Sequence, residues 1–586
     1  MKSALISSIN LFRFTGVTLV LIVAAFNATS TGATQAVSTN SLAETVFING
    51  RIYTLNSAAP WVDAIAVTKG KYIYAGSVEG VQSFIGKNTV QVELGGKMLM
   101  PGVNDGHSHP WQGGLTTLYK CNFPFTATPN EVAAQLRKCI AASPDQAWLI
   151  GGQWTSDFFN KFDIPSPKKW LDAISTDRAI YLSDDATHNA WVNSKTLALA
   201  GIDRNTSNPQ GGTYVRDEHG ELNGLVYEQA REKIKALIPN WTEPQYRAAI
   251  IEAGHQANRF GLTGVTEARA DATVLGVYQK LDLEEGLTVH LVAAHQTPRE
   301  YRAYPLDIEV FVAAREKFKS PHLHTSFVKV FLDGVPTASR TAYMLEDYLA
   351  VEGAQPINGV LNVAPEALAA DLIALDKAGF TLKIHTAGDG SVRVALDAIE
   401  AARNANGNSG LQHQLAHAGF IDPKDISRFA QLNATADLSP YIWYPSPIID
   451  SIVGAIGERG RHYFPVKALL DSGAPVLMGS DWPSAAKNLS PWHAIEALVT
   501  RKNPFSSGEQ MLWPEQAITL QQALKIATLD GAKALRLQQL TGSIEVGKSA
   551  DFIILNHNLF DIPSSSISDT EVEQTWFEGV LVYSKK

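Results

Sequence analysis

Apolar positions along the chain fall into two regimes. At the ends they come in short runs broken by turn residues. One end carries Val46-Phe47-Ile48, Arg51-Ile52-Tyr53-Thr54, Ala64-Ile65-Ala66-Val67, Tyr72-Ile73-Tyr74-Ala75 and 89–94; the other carries 551–555, 572–577 and 579–583. Runs of this length between turn residues predict strands, and Asn49-Gly50 between the first two predicts a hairpin. Two β-rich ends around a different middle predict one small β-sandwich built from both termini, residues 43–100 and 539–586.

The middle alternates strand-like runs with helical stretches, the signature of βα units. The runs lie at 99–109, 263–267, 289–293, 327–332, 381–385, 414–417, 434–438 and 476–479. Eight in a row predict a (β/α)8 TIM-like barrel, an α/β fold that typically takes about 250 residues. On this reading 101–118 hold the first barrel strand and 251–538 the rest of the barrel. The long interval after the first strand has strand-like runs of its own, Trp148-Leu149-Ile150 and Ala179-Ile180-Tyr181-Leu182. Residues 119–250 therefore read as a domain inserted over the barrel mouth. A doubly wound open sheet is the competing architecture, but the chain carries no Gly-rich phosphate loop.

The N-terminus departs from both regimes. Lys2 and Arg13 precede the apolar run 16–26, and small residues follow, including Gly32-Ala33-Thr34-Gln35-Ala36. This order predicts a secretory signal peptide, residues 1–36, and a mature protein starting between about Gly32 and Ser41 in the periplasm or outside the cell. The run is short for a membrane span of about 20 residues, and no other stretch is long and apolar enough to be one. No cysteine lies near the cleavage region, which argues against a lipid anchor. The two cysteines, Cys121 and Cys139, either pair in an oxidising compartment or remain two buried thiols. Over 586 residues, 45% hydrophobic and 18% charged, the balance is that of a large globular protein of more than one domain. A net charge of −9 without a basic run argues against nucleic acid as a partner. The expected partner is a small-molecule substrate; the oligomeric state, a homo-oligomer included, stays open.

Candidate chemistry gathers at one end of the predicted barrel strands, where barrel enzymes keep their active sites. The first strand runs into His107-Ser108-His109, and alternation along an extended segment points both imidazoles the same way. The fourth carries Lys329, with Asp333 after it. The fifth ends in His385, the sixth in His417, and Asp481 follows the eighth. One histidine in an apolar strand is usually a core residue. Recurrence at the same end of successive strands instead makes a metal-ligand set, with a carboxylate beside an activated water. Asp481 is placed to take the water's proton and hand it to a leaving amine. Lys329 lies in an otherwise apolar strand, so it either pairs with Asp333 or loses its charge by capturing carbon dioxide. No Gly-x-Ser-x-Gly elbow is present. His255, His290, His295, His322, His324, His219 and His557 read as structural or exposed. Trp154, Trp482 and Tyr444 are candidate pocket walls.

The chain resembles the amidohydrolase superfamily, and within it amidohydrolase family 3, the branch that includes N-substituted formamide deformylases. The matching pieces are Pro-Gly-x-x-Asp-x-His-x-His at 101–109, Val328-Lys329-Val330-Phe331-Leu332-Asp333-Gly334, His385-Thr386-Ala387-Gly388-Asp389, Gly479-Ser480-Asp481-Trp482-Pro483, and the segment 542–551. The resemblance implies one or two divalent ions, Zn2+ or similar, held by His107, His109, His385 and His417. It further implies a carboxylated Lys329 bridging two ions, and an Asp481 that binds metal and shuttles the proton. It also brings His188 toward the substrate. At the sixth strand the family commonly shows Arg-x-Glu-His; here Gln414-Leu415-Ala416-His417 keeps the histidine and not the glutamate. The expected activity is hydrolysis of a non-peptide carbon–nitrogen bond, by resemblance an amide. The alternatives are an ester or lactone hydrolase using the same site, and a secreted binding or regulatory protein that retains the fold.

Overall fold

The computed structural model describes residues 41–586, apart from 125, 156, 185–186, 352–354, 440–443, 485 and 487. The expected signal segment, 1–36, lies outside the described residues.

Eight parallel strands follow one another in chain order: β1 (Val103–Ser108), β2 (Leu262–Ala270), β3 (His290–Gln296), β4 (Leu323–Phe331), β5 (Thr381–Thr386), β6 (Gln414–His417), β7 (Thr435–Leu438) and β8 (Val476–Met478). Their near-continuous burial, as in Phe327-Val328-Lys329-Val330-Phe331 of β4, is what a parallel sheet covered on both faces requires. Helices such as Pro365–Lys377 and Asp389–Asn406 bury Leu368, Leu372, Val392 and Leu396 in the core around the strands. The ring closes where the segment after β8 meets β1. The Asp481 N–H donates to the His107 carbonyl at 2.6 Å. A Cβ on Gly479 would stand 2.3 Å from the His107 nitrogen, so only glycine permits this approach.

The first barrel strand is shorter than the sequence pattern suggests. Met98–Pro101 belongs to another sheet, where Leu99 pairs with Ile52 and Ile554, and Met100 with Ile553. That six-stranded sheet runs Val580–Ser584, Val572–Phe577, Phe552–Leu555, Met98–Pro101, Arg51–Tyr53, Trp61–Val62, so both termini build it. A four-stranded sheet of Lys71–Gly76, Ala64–Thr68, Thr45–Ile48 and Val90–Glu93 faces it. Phe47, Ile65 and Val67 from the smaller sheet share a core with Ile52, Leu99, Phe552 and Ile554. The hairpin expected at Asn49-Gly50 does not form. Thr45–Ile48 pairs with Ala64–Thr68 and Val90–Glu93, whereas Arg51–Tyr53 joins the other sheet. The turn carries the chain from one layer to the next, because Phe47 and Ile52 must enter the same core from opposite sides.

Between β1 and β2 stands a six-stranded sheet in the order Gly212–Arg216, Leu222–Glu228, Asn189–Val192, Ala179–Asp184, Trp148–Trp154, Cys121–Asn122. One core holds Trp154, Phe158, Phe159 and Trp191, and a separate one holds Tyr181, Val192 and Leu197. Cys121 and Cys139 are joined by a disulfide within this insert. The chain re-enters the barrel through the helix Glu243–Arg259, which opens on a capping box of Thr242 and Gln245.

Candidate metal centre

The strand ends deliver the expected residues to one place. His107, His109, His188, Lys329, His385, His417 and Asp481 all line a cleft of about 970 Å³ at the barrel mouth. One ligand atom each from His107, His417 and Asp481 lies within 4.8 Å of the others. His107 Nε2 is 3.7 Å and His109 Nε2 3.4 Å from Asp481 Oδ1. The His417 ring is centred 4.9 Å from that of His107 and 4.7 Å from that of His385. Lys329 Nζ is 3.3 Å from His107 Nε2. Two of these residues sit in the left-handed backbone region, His417 at φ 73° and Asp481 at φ 55°. Such conformations cost about 1–3 kcal/mol each and cluster at functional sites.

Buried acceptors behind the imidazoles set their direction. His107 Nδ1 donates to Asp437 Oδ2 at 2.7 Å, and His385 Nδ1 to Asp333 Oδ1 at 2.9 Å. His109 Nδ1 lies 3.6 Å from Glu267 Oε1, and His417 Nδ1 lies 3.3 Å from Ser439 Oγ. Each ring thus keeps its Nε2 for the cleft, the arrangement in which an outer carboxylate orients a metal-binding histidine. The carboxylates are themselves held. Asp333 also accepts from the backbone of Ala387, Gly388 and Tyr343 and from Ser391 Oγ. Asp437 accepts from Lys383 Nζ at 2.6 Å, which also donates to the Gly106 carbonyl. Asp105 holds the backbone N–H groups of His107 and Ser480 together.

These contacts decide the charge states. Burial pushes His107, His385 and His417 well below the ordinary histidine range, and nearby Lys329 pushes the same way. They are neutral imidazoles, the form that binds metal. Burial opposes ionisation of Asp481, but the hydrogen bond and charge of His109 outweigh it, with Lys329 adding to them, and keep Asp481 an anion. Burial, with Lys383 adding to it, brings Lys329 down to about 7. Neutral imidazoles, one ionised carboxylate and a buried amine fit a divalent ion of the zinc type.

Four expectations change. Asp333 is not the partner of Lys329; it is taken up by His385 and the β5 end. Trp154 lies in the core of the insert, its Nε1 donating to the Leu182 carbonyl and its ring against Phe159. Trp482 packs over Gly113, where a Cβ would meet its ring at 2.1 Å. Neither tryptophan is among the residues lining the cleft, and Tyr444 is a buried core residue. His188 does face the cleft, fixed by Glu228 through Nδ1 at 3.1 Å. Among the other histidines, His324 lies in β4, and His557 is half-buried. The sequence reading does not single out Asp437, Lys383, Glu267 or Glu228, and it contains Asp105 only as the acid of Pro-Gly-x-x-Asp-x-His-x-His at 101–109. An acid in the apolar run Ala434-Thr435-Ala436-Asp437-Leu438, and a lysine in Thr381-Leu382-Lys383-Ile384-His385, were the visible signals.

Residues 91–583 match the amidohydrolase family. The Arabidopsis thaliana protein LONG AFTER FAR-RED 3 is 29% identical over 555 residues, covering 92% of each chain. The N-substituted formamide deformylase of Arthrobacter pascens is 24% identical over 546 residues, 92% of this chain and 98% of its own. A metal-dependent hydrolase of Pyrococcus horikoshii has the same fold, with a TM-score of 0.68 at 23% identity over 89% of this chain and 99% of its own.

Proposed function

The chain belongs to the amidohydrolase family, and from that premise we propose that it is an exported, metal-dependent hydrolase that cleaves a non-peptide amide bond of a small molecule. The observation that carries this reading is the convergence of His107, His417 and Asp481 ligand atoms within 4.8 Å at the C-terminal end of the barrel. When bound, a divalent ion supplies Lewis acidity and lowers the pKa of water to about 7. His107, His109, His385, His417 and Asp481 would hold it. The rest is done by the chain. Asp481 accepts the proton of the attacking water on its carboxylate and returns it to the leaving nitrogen, so the amine departs neutral. His188, braced by Glu228 and with its ring centred 5.6 Å from that of His385, offers its Nε2 to the substrate.

Lys329 completes the set as a carbamate. Its amine adds to carbon dioxide, releases one proton and becomes an anion with two oxygen donors. The support is its placement: a buried amine among imidazoles, with no carboxylate of the described residues within ion-pair distance. As an ammonium it would repel a cation at this spot. Export rests on the N-terminal pattern and on the Cys121–Cys139 disulfide, a bond that oxidising compartments sustain.

Elemental analysis of the purified protein, with a panel of small formamides, acetamides and matched esters, tests the reading. Metal and amide turnover together are expected. Turnover of the esters alone would move the assignment to ester hydrolysis, and metal-free protein with no turnover would leave a binding protein.

A further inference from the structure

The cleft continues under the insert into a second lobe of about 1250 Å³, with Arg269 and Arg299 lining both parts. This lobe is strongly cationic. Lys120, Arg231, Lys235, Arg269 and Arg299 line it, and among the described residues Asp184 is the one acid there. Asp184 is occupied by the Asn189 backbone and side chain. Arg231 is fixed to the Glu228 and Thr187 carbonyls, and Lys235 pairs with Glu232. Arg269 gives its Nε to Gln296.

Arg299 is different: its carbonyl accepts from Gln229 Nε2, but no hydrogen bond or ion pair ties its guanidinium to a described residue. Its guanidinium carbon stands 4.0 Å over the centre of the Phe331 ring. That ring centre is in turn 5.3 Å from Lys329 Nζ. Stacking leaves the planar N–H fork free at its edge, the geometry that receives a carboxylate through two parallel hydrogen bonds. The nearby acid Glu228 is already held by His188 and Thr341. Burial and the neighbouring cations Arg269 and Arg231 lower Arg299 to about 9, so an incoming anion relieves a repulsion already present.

Resting on the hydrolytic reading above, we propose that Arg299, assisted by Arg269, binds a carboxylate of the substrate, which is therefore an amide of the N-acyl amino acid class. The amide would lie at Asp481 and the carboxylate one ring's breadth away, beyond Phe331. Val335, Ile448 and Ile452 on the cleft wall would receive an apolar side chain.

The test uses zinc-loaded full-length protein with N-formyl and N-acetyl leucine and phenylalanine of both hands. Each is supplied as the free carboxylate and as its neutral carboxamide twin. The readouts are kcat/KM and, by calorimetry, Kd. The wild-type protein should favour the carboxylate by about 10- to 100-fold, the scale of a charged hydrogen-bonded pair. The ratio should fall to near one in Arg299→Met/Arg269→Met at unchanged metal content. A wild-type ratio near one overturns the proposal without recourse to any variant, and so does a preference that survives in the folded double variant. Carboxylate-selective binding without turnover of either twin would uphold the anion site and sink the amide reading. Equal turnover of both twins would do the reverse.

Discussion

Asp481 carries the most chemistry of any single residue. It is ionised, held in the left-handed region, and within 3.4–3.7 Å of two imidazole nitrogens. Asp481→Asn should lower kcat by about two orders of magnitude or more, the scale of lost general acid–base catalysis. Stopped assays at saturating amide check this, and an unchanged rate at normal metal content would reduce Asp481 to a turn residue. Lys329→Ala should lose metal and turnover, and short carboxylic acids such as formate or acetate should restore both in part. A variant that keeps its metal and full rate without added acid would contradict the carbamate. These residues were readable because their chemistry repeats at strand ends, a local pattern. Their orienting partners were not. His107 and Asp437 are 330 positions apart in sequence, and nothing short of the closed barrel says that the two meet. Trp154 was misplaced for a related reason: a large aromatic satisfies a core as readily as a pocket, and here the insert had a core to fill.

At the scale of elements, closure of the barrel and geometry of the site are one event. The segment after β8 docks on β1 through Gly479 and the Asp481–His107 backbone bond. Gly479→Ala would force its Cβ into the His107 backbone, costing about 1–3 kcal/mol as overpacking does. Because the same contact sets His107 and Asp481, metal affinity should fall as well. Thermal denaturation with and without zinc would show both losses, and a wild-type profile would show that the strands tolerate separation. Away from the site, Asp376 ties the helix Pro365–Lys377 to the approach to β6, accepting from Arg403, His413, Ser409 and Asn406. Burial would raise its pKa, but those hydrogen bonds outweigh it and hold the carboxyl below the usual range. A depressed folded pKa stabilises above the unfolded value of about 3.9 and is lost as pH falls through the folded one. Asp376→Asn should therefore be less stable than wild type at pH 7, with the gap narrowing below about pH 4. Urea midpoints across that range check this; a gap independent of pH would contradict it. The eight βα units were legible because buried parallel strands are continuous apolar runs. The hairpin at Asn49-Gly50 was not, because turn residues fix a change of direction and leave open which sheet receives the next strand.

For the whole molecule, barrel and insert together build one cleft: the barrel supplies ligands and the insert supplies His188 and most of the cationic lobe. Exported protein should begin between about Gly32 and Ser41, which N-terminal sequencing of the periplasmic or external fraction reads directly; retained Met1 would contradict cleavage. The central claim is that the clustered imidazoles and Asp481 hold a metal that amide hydrolysis requires. The most direct measurement is metal content and amide turnover of wild type beside His107→Ala/His109→Ala, with circular dichroism to confirm the fold. The account predicts that the folded double variant loses both metal and turnover. A double variant that keeps wild-type metal content, or a wild-type enzyme that hydrolyses amides fully after its metal is stripped, would contradict it.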